Sequence, residues 1–148
     1  MKRRTAMKHA LPYEIKDDDW QVLLEERFDG KCMLTGKKKK VSLEHMIPLS
    51  IGHGGTTIYN CIPMDYDLNV DKAGQNPFKW IKSQKPKVQE QFYKLVVPYL
   101  ATMNGMDTET YKKYVYWCFQ NPRKVKEVRK DTKAGKSSIM LFYESLNE

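Results

Sequence analysis

The chain has 148 residues, of which 41% are hydrophobic and 11% aromatic, so it can bury the core of one globular domain and is not a disordered chain. Its formal net charge of +8 favours a polyanionic partner, because lysine and arginine neutralise phosphates, although charge alone fits a basic protein without such a partner equally well. No apolar run reaches the length of a membrane-spanning helix, and the cysteines lie far apart, as in a cytoplasmic protein with reduced thiols.

The N-terminal part of the sequence predicts a basic arm followed by one helix. Residues 1–13 are rich in lysine and arginine and end near Pro12, which predicts a loose arm. Acidic residues at 17–19 precede apolar positions at helical spacing. This pattern predicts a helix over 20–28 that is stopped by Gly30.

Two short strands are predicted next. The segments 31–35 and 41–46 both fit strands, and Gly36 with the following lysines predicts a hairpin turn between them. A glycine-rich loop at 50–57 and a compact connector at 58–64 follow. The four lysines of the turn, named the lysine run below, are Lys37, Lys38, Lys39 and Lys40.

A short helix is predicted over 65–73. Asp65 or Asp67 can cap its first turn, and Gly74 stands where a left-handed residue usually ends a helix. Pro77 suits the first turn of the next helix.

Helical patterns dominate the remainder of the chain. Apolar residues at helical spacing predict a helix over 87–101 with a bend at Pro98. A second helix is predicted over 107–120, which begins with a capping aspartate. The segment 123–136 is strongly basic and is expected to be exposed, and 139–143 fits a strand or a helix equally well.

Together these elements predict an α+β fold in a single domain over 1–148. The composition changes near residue 75. This change separates a motif-bearing unit at 14–80 from a helical, basic extension at 81–148.

Residues suited to phosphodiester hydrolysis are concentrated between positions 43 and 74. This reaction needs a base that activates water, a cation that neutralises charge on the phosphate, and a group that orients the base. His45 can act as a base, while Glu44 and Asn69 offer oxygen ligands of the kind that Mg²⁺ prefers.

Three segments of this region resemble the motif of the HNH endonucleases, also called ββα-metal or His-Me finger nucleases. They read Leu43-Glu-His-Met-Ile-Pro-Leu-Ser50, Tyr59-Asn-Cys-Ile-Pro63 and Leu68-Asn-Val-Asp-Lys-Ala-Gly74. The resemblance covers about residues 20–80 and implies two short strands and a helix around one metal ion, flanked by N-terminal and C-terminal helices. The small size and reduced motif resemble bacteriophage members, which implies a phage protein in the cytoplasm of a bacterial host.

The resemblance implies a role for each matched residue. His45 would be the general base that takes a proton from water, and Asn60 would hold the loop and orient His45. Glu44 and Asn69 would bind Mg²⁺, Mn²⁺ or another divalent ion, and Lys72 would contact a phosphate of DNA. The lysine run would form a phosphate clamp beside the cleavage site, and its other interpretation is a solvated turn.

The sequence departs from the family in its cysteines. Many members carry two CxxC pairs that hold a structural zinc, whereas Cys32 is followed here by Thr35, and the second pair falls at Asp65 and Leu68. We therefore expect no structural zinc and a substitute core formed by helix packing. The candidates for that core are Trp20, Leu24, Phe28 and Trp80.

The metal ligand Glu44 is a second departure, because the family commonly has aspartate at this position. The longer side chain moves the carboxylate, so a further acidic ligand is possible. Asp65 and Asp71 both lie near the motif, and helical spacing favours Asp65 because it shares a face with Asn69.

Several residues outside the motif have two interpretations. His53 in the glycine-rich loop is expected to be an exposed loop histidine rather than a contact to DNA or metal. The aromatic residues of 107–120 are expected to be core, with base stacking as the minority alternative. Basic residues that could extend a DNA track, or simply be solvated, are Arg123, Lys124, Lys126, Arg129, Lys130, Lys133 and Lys136.

The sequence therefore predicts a metal-dependent endonuclease that hydrolyses DNA. The first alternative is a degenerate HNH fold that binds nucleic acid without cutting it, as loss of the zinc cysteines would suit. The second is a protein-interaction scaffold in which the helical half is the working part.

Overall fold

The computed structural model describes residues 3–148, apart from the side chain of Arg3, and has an α+β fold. In chain order the helices and strands are α1 (Arg3–Ala10), α2 (Asp17–Phe28), β1 (Val41–His45), β2 (Cys61–Asp65), α3 (Tyr66–Lys72), α4 (Pro77–Trp80), α5 (Pro86–Gln91), α6 (Val97–Met103), α7 (Thr108–Gln120), α8 (Val125–Lys133) and α9 (Ser138–Ser145). Short 3₁₀ turns lie at Leu49–Ile51 and Ile81–Ser83, and a π-helical segment lies at Phe92–Val96. No helix within 3–148 is long and apolar enough to span a membrane.

The two strands form a small antiparallel sheet with a helix directly behind it. The register pairs His45 with Cys61, Leu43 with Pro63 and Val41 with Asp65. Because β2 runs directly into α3, the helix packs back against both strands. The compact unit β1–β2–α3 thereby brings the end of β1 close to one face of α3.

The predicted hairpin between 31–35 and 41–46 is wrong, although the second strand itself is confirmed. The segment 31–35 forms a turn, in which Cys32 N–H donates to Lys37 O and Gly36 N–H donates to Cys32 O. The partner of β1 is instead β2, which falls within the predicted connector 58–64. Proline argues against an interior strand, yet Pro63 is tolerated because β2 pairs on one side only.

The main core lies between the sheet and the C-terminal helices. Ile62 and Met64 of β2 are fully buried and meet apolar side chains of α4, α6 and α7. Burial of each large side chain stabilises the fold by about 1.5–3 kcal/mol. Of the expected substitute core, Leu24 and Trp80 are buried, and Trp20 and Phe28 are half-buried.

Side-chain caps explain where two of the predicted helices begin. Asp65 accepts hydrogen bonds from the N–H groups of Asp67 and Leu68, and Asp107 accepts one from Thr110 N–H. The end of α3 differs from the prediction, because the positive φ of 49° falls on Ala73 rather than on Gly74.

The C-terminal helices refine two predictions. The helix predicted over 87–101 lies within a continuous helical run over 86–103, in which a π-helical turn at Phe92–Val96 precedes the proline of α6. The undecided segment 139–143 is helical and lies within α9.

The prediction of a loose arm over 1–13 is wrong for the residues that the structure describes; residues 1–2 lie outside them. Helix α1 occupies Arg3–Ala10, and Met7 and Leu11 pack with Leu49 and Val128 in a small cluster beside the main core. The basic segment 123–136 contains α8, and most of its charged side chains are exposed as expected. Arg123 is the exception, since it is buried.

Candidate functional site

A cavity of about 970 Å³ opens where β1 ends against α3, and it is named the β1–α3 pocket here. Its lining includes Glu44 and His45 from the end of β1 and Asn69 from α3. The remaining walls come from the turn that follows β1 and from α1 and the start of α8. The fold thus brings three residues of the sequence motif to one cavity, although Glu44 and His45 are adjacent in a strand.

His45 is a half-buried imidazole whose Nε2 lies 2.9 Å from Thr56 Oγ1. Burial, together with the positive charges of Arg4, Lys8 and Lys72, lowers the pKa of His45 to about 4. The ring is therefore neutral at pH 7. A neutral imidazole can accept a proton, which a histidine already charged at that pH cannot do.

Thr56 is a site residue that the sequence did not reveal. Its side chain is only 2% exposed, and its backbone is held on both sides, since Thr56 N–H donates to Pro12 O and Thr56 O accepts from Glu14 N–H and Ile15 N–H. This anchoring fixes the hydroxyl that faces His45. A threonine in a glycine-rich loop gives no local pattern from which this contact could be read, because the contact depends on the segment 12–15.

Asn60 links the two chain segments that carry His45 and Thr56. Its Oδ1 accepts from Ile47 N–H, and its Nδ2 donates to Ile47 O and Gly55 O, each at 2.9 Å. Ile47 lies two residues after His45, and Gly55 immediately precedes Thr56. Asn60 therefore joins the backbone near His45 to the backbone near Thr56.

Gly54 of the glycine-rich loop leaves room for this asparagine. Its φ is +80°, and a Cβ at this position would lie 2.4 Å from Asn60 Nδ2. Both the backbone conformation and the close approach require glycine here.

Glu44 and Lys72 form a buried ion pair at the side of the pocket. Lys72 Nζ lies 3.3 Å from Glu44 Oε2, and the lysine side chain is 0% exposed. Apart from Lys72, Oε2 has no hydrogen-bond partner within 3–148. Burial raises the pKa of Glu44 and lowers that of Lys72, while each charge supports the other. Lys72, expected to contact a phosphate, faces Glu44 rather than solvent in this conformation.

Asn69 projects from α3 toward β1. Both of its side-chain hydrogen bonds within the described chain are donated by Nδ2, to Ser42 Oγ at 3.0 Å and to Leu43 O at 3.2 Å. The amide is thereby held in place with its oxygen available as an acceptor or a cation ligand.

The expectation that Asp65 or Asp71 assists at the metal does not agree with the geometry. Asp65 pairs with Val41 at the opposite end of β1 from His45, and its carboxylate caps α3. Asp71 Oδ2 accepts from Trp80 Nε1 at 2.8 Å and from Gln84 Nε2 at 3.1 Å. Neither carboxylate lines the β1–α3 pocket.

The oxygen donors of the pocket fit a hard divalent cation in their chemistry. Glu44 offers a buried carboxylate whose Oε2 faces Lys72, and Asn69 offers an amide oxygen. Mg²⁺ prefers such ligands and keeps several waters, so two protein ligands suffice. The ammonium of Lys72 against the same carboxylate opposes the cation, which makes Glu44 a weaker ligand than an unpaired carboxylate.

Cys32 is the residue that the resemblance to the HNH nucleases places at a zinc-ligand position. Its Sγ accepts hydrogen bonds from Leu34 N–H at 3.3 Å and from Asp65 N–H at 3.2 Å. The thiol thus ties the turn at 31–35 to the junction between β2 and α3.

The lysine run is exposed and precedes β1, so it lies at the opposite end of the strand from His45. Five residues of strand correspond to roughly 16 Å. Two of its members approach carboxylates at 3.9 Å, Lys38 with Asp29 and Lys40 with Asp67. A phosphate clamp here would act some distance along a bound strand rather than at His45 itself.

The expectation of an exposed His53 is wrong, because this residue is 0% exposed. Its Nε2 donates to Asn121 O at 2.7 Å, so Nδ1 accepts from Ser138 Oγ at 2.8 Å. Burial lowers its pKa to about 4. Arg123 extends this network by donating to Gly52 O and Ser138 Oγ. His53 therefore joins the glycine-rich loop to the C-terminal helices.

No family model, curated protein or solved structure matches the chain. The β1–α3 pocket is therefore the basis for assigning a function. It holds a neutral imidazole fixed by a hydroxyl, a buried carboxylate and an amide beside a basic wall. This combination can accept a proton, offer oxygen ligands to a cation and attract an anion.

Proposed function

We propose that the protein is a metal-dependent endonuclease of the HNH type that hydrolyses phosphodiester bonds of DNA. In this proposal β1, β2 and α3 are the ββα-metal unit, residues 14–80 contain the nuclease unit and 81–148 form a helical, basic extension of the same domain. The observation that carries the proposal is the neutral His45, held by Thr56 in one pocket with Glu44 and Asn69.

His45 is the proposed general base. Nε2 is engaged with Thr56, so we assign proton acceptance to Nδ1, with Nε2–H donating to Thr56 Oγ1. Nδ1 takes the proton as the O–H bond of water breaks, the water oxygen forms a bond to phosphorus, the P–O3′ bond breaks, and the 3′-oxygen takes up a proton from solvent water. Thr56 orients the ring, and Asn60 keeps the two backbone segments in register.

Glu44 and Asn69 are the proposed ligands of Mg²⁺, Mn²⁺ or another divalent ion. Such an ion, when bound, neutralises charge on the phosphate and on the leaving oxygen. Asn69 contributes a preset amide, because two hydrogen bonds from Nδ2 hold it against β1. We propose no structural zinc, since Cys32 stabilises the unit through backbone hydrogen bonds.

DNA is the proposed substrate because the chain carries a net charge of +8 and the pocket is bordered by basic residues. The lysine run would hold the strand beyond the far end of β1, roughly 16 Å from His45. A phage protein acting in the bacterial cytoplasm remains the setting that the motif suggests.

A catalytically degenerate HNH fold that only binds nucleic acid is the second candidate. The ion pair between Glu44 and Lys72 favours it, because the ammonium already neutralises the carboxylate that a metal would need. The two candidates make the same prediction for DNA binding and opposite predictions for cleavage.

Plasmid nicking tests the first proposal. Supercoiled plasmid is incubated with the wild type, with His45→Ala and with His9→Ala, which removes an exposed imidazole instead. Each protein is assayed with Mg²⁺, with Mn²⁺ and with a chelator. We expect metal-dependent nicking by the wild type and by His9→Ala, and a loss of at least about a hundredfold in His45→Ala.

Equal nicking by His45→Ala, or none by the wild type with any of several divalent ions, would overturn the nuclease proposal. Salt-sensitive DNA retardation by a wild type that does not nick would support the binding module. Absence of both activities would overturn both candidates.

A further inference from the structure

The wall of the β1–α3 pocket that faces the motif is formed by two segments from opposite ends of the chain. Arg4 comes from α1, and Lys124 and Lys126 come from the start of α8. All three side chains are exposed, and all three line the same cavity as Glu44, His45 and Asn69. We refer to these three residues as the terminal cation cluster.

Apolar packing holds this wall in position. Met7 and Leu11 are buried against Leu49 and Val128, and this group is separate from the main core. Leu49 begins the 3₁₀ turn that lies four residues after His45, the last residue of β1. The packing of α1 against Leu49 therefore fixes α1 relative to His45. The position of the charges is therefore set by packing rather than by the charges themselves.

The three cations form no close ion pair in the part of the chain that the structure describes. Within 3–148, none of them has a carboxylate oxygen within 4 Å, whereas Lys8 lies 3.7 Å from Asp17 and Lys136 lies 2.7 Å from Glu144. Three unpaired cations around one cavity repel each other and favour an anion between them.

We propose that Arg4, Lys124 and Lys126 bind the phosphodiester backbone of a nucleic acid strand that lies across the β1–α3 pocket. This inference rests on the proposed function and adds a binding surface to it. Arg4 is suited to a bidentate phosphate contact and the two lysines to single contacts. The strand would pass between α1–α8 on one side and β1–α3 on the other.

DNA binding measured against salt concentration tests the proposal. A fluorescent DNA duplex is titrated in the presence of chelator, so that no hydrolysis occurs, and the affinity is measured at several salt concentrations. The test variant carries Arg4→Gln, Lys124→Gln and Lys126→Gln. The matched control carries Lys85→Gln, Lys87→Gln and Lys94→Gln, which remove the same charge from exposed positions outside the pocket.

Each phosphate contact contributes about 0.9 to the slope of log affinity against log salt. Loss of three contacts should therefore reduce the slope by about 2.7, and the control should change it by less than about 1. Equal slopes in the wild type and the test variant, or equal reductions in test and control, would overturn the proposal. The cap of α8 uses the backbone N–H of Lys124, so these side-chain changes leave the helix intact, as circular dichroism can verify.

The nicking assay separates this inference from the proposed function. Nicking by the wild type together with an unchanged slope in the test variant would overturn the proposed role of the terminal cation cluster and leave the nuclease proposal standing. A reduced slope in the test variant, together with no nicking by the wild type, would support DNA binding by the terminal cation cluster and overturn the nuclease proposal.

Discussion

Replacing Lys72 with methionine would leave the carboxylate of Glu44 buried without its counter-charge. Both side chains are almost completely inaccessible, and their charged atoms lie 3.3 Å apart. At an effective dielectric constant of about 20, two unit charges at this distance attract each other by about 5 kcal/mol. Removing one partner of a buried pair costs about 3–5 kcal/mol, so Lys72→Met should lower the free energy of unfolding by that amount.

Urea unfolding of a double-mutant cycle measures this energy. Glu44→Gln combined with Lys72→Met removes both charges, and this double variant should be more stable than Lys72→Met alone. Lys82→Met, at an exposed position, is the control and should change the free energy of unfolding by less than about 0.5 kcal/mol.

The loss in Lys72→Met should also depend on pH. An unpaired buried Glu44 has a pKa above its ordinary value of 4.5, so the folded state retains a proton that the unfolded state releases as pH rises. Without Lys72 this pKa is higher than in the wild type, so the loss of stability relative to the wild type should grow as pH rises above the folded-state pKa of Glu44 in the wild type, by up to about 1.4 kcal/mol per pH unit. A loss below about 1 kcal/mol at pH 7, with no coupling in the cycle, would refute an ionised pair.

Three further predictions concern the site and its loop. Thr56→Val removes the hydroxyl beside His45 with little change in shape, and should slow nicking by about tenfold to a hundredfold at unchanged DNA affinity; an unchanged rate would exclude Thr56 as a positioning residue. In urea unfolding, Gly54→Ala should lower the free energy of unfolding by at least about 1 kcal/mol more than Gly36→Ala does. Both glycines have positive φ, but only a Cβ at Gly54 would meet Asn60. Equal losses in the two variants would contradict the close approach. The rate of nicking should persist down to about pH 5 and fall at lower pH, as His45 gains a proton near its pKa of about 4. A midpoint near pH 6.5 in the pH–rate profile would instead show a histidine with an unperturbed pKa.

Local signals in the sequence were sufficient where an element is determined by its own residues. Helix α7 begins after the capping Asp107, and α3 begins after Asp65, as their side chains predict. Glu44, His45 and Asn69, which lie in two of the motif segments, line one pocket. The contact between α3 and β1 that joins them follows from the short connection between β2 and α3.

Predictions failed where a distant segment decides the outcome. Residues 31–35 have strand-forming composition, but the strand that pairs with β1 is β2, thirty residues further along the chain by sequence number. His53 stands in a loop of glycines and is nevertheless buried by Ser138 and Asn121, whose positions no local pattern reveals. The burial of Lys72 also depends on a distant segment, because its side chain faces Glu44 of β1.

The contact between α1 and α8 has a consequence for how the protein folds. Arg4 and Lys124 border one pocket, although about 120 residues separate them along the chain, so the pocket depends on one of the most non-local contacts in the molecule. During synthesis the sheet and α3 emerge well before α8. A nascent chain would therefore contain the motif residues for some time before the wall opposite them is in place.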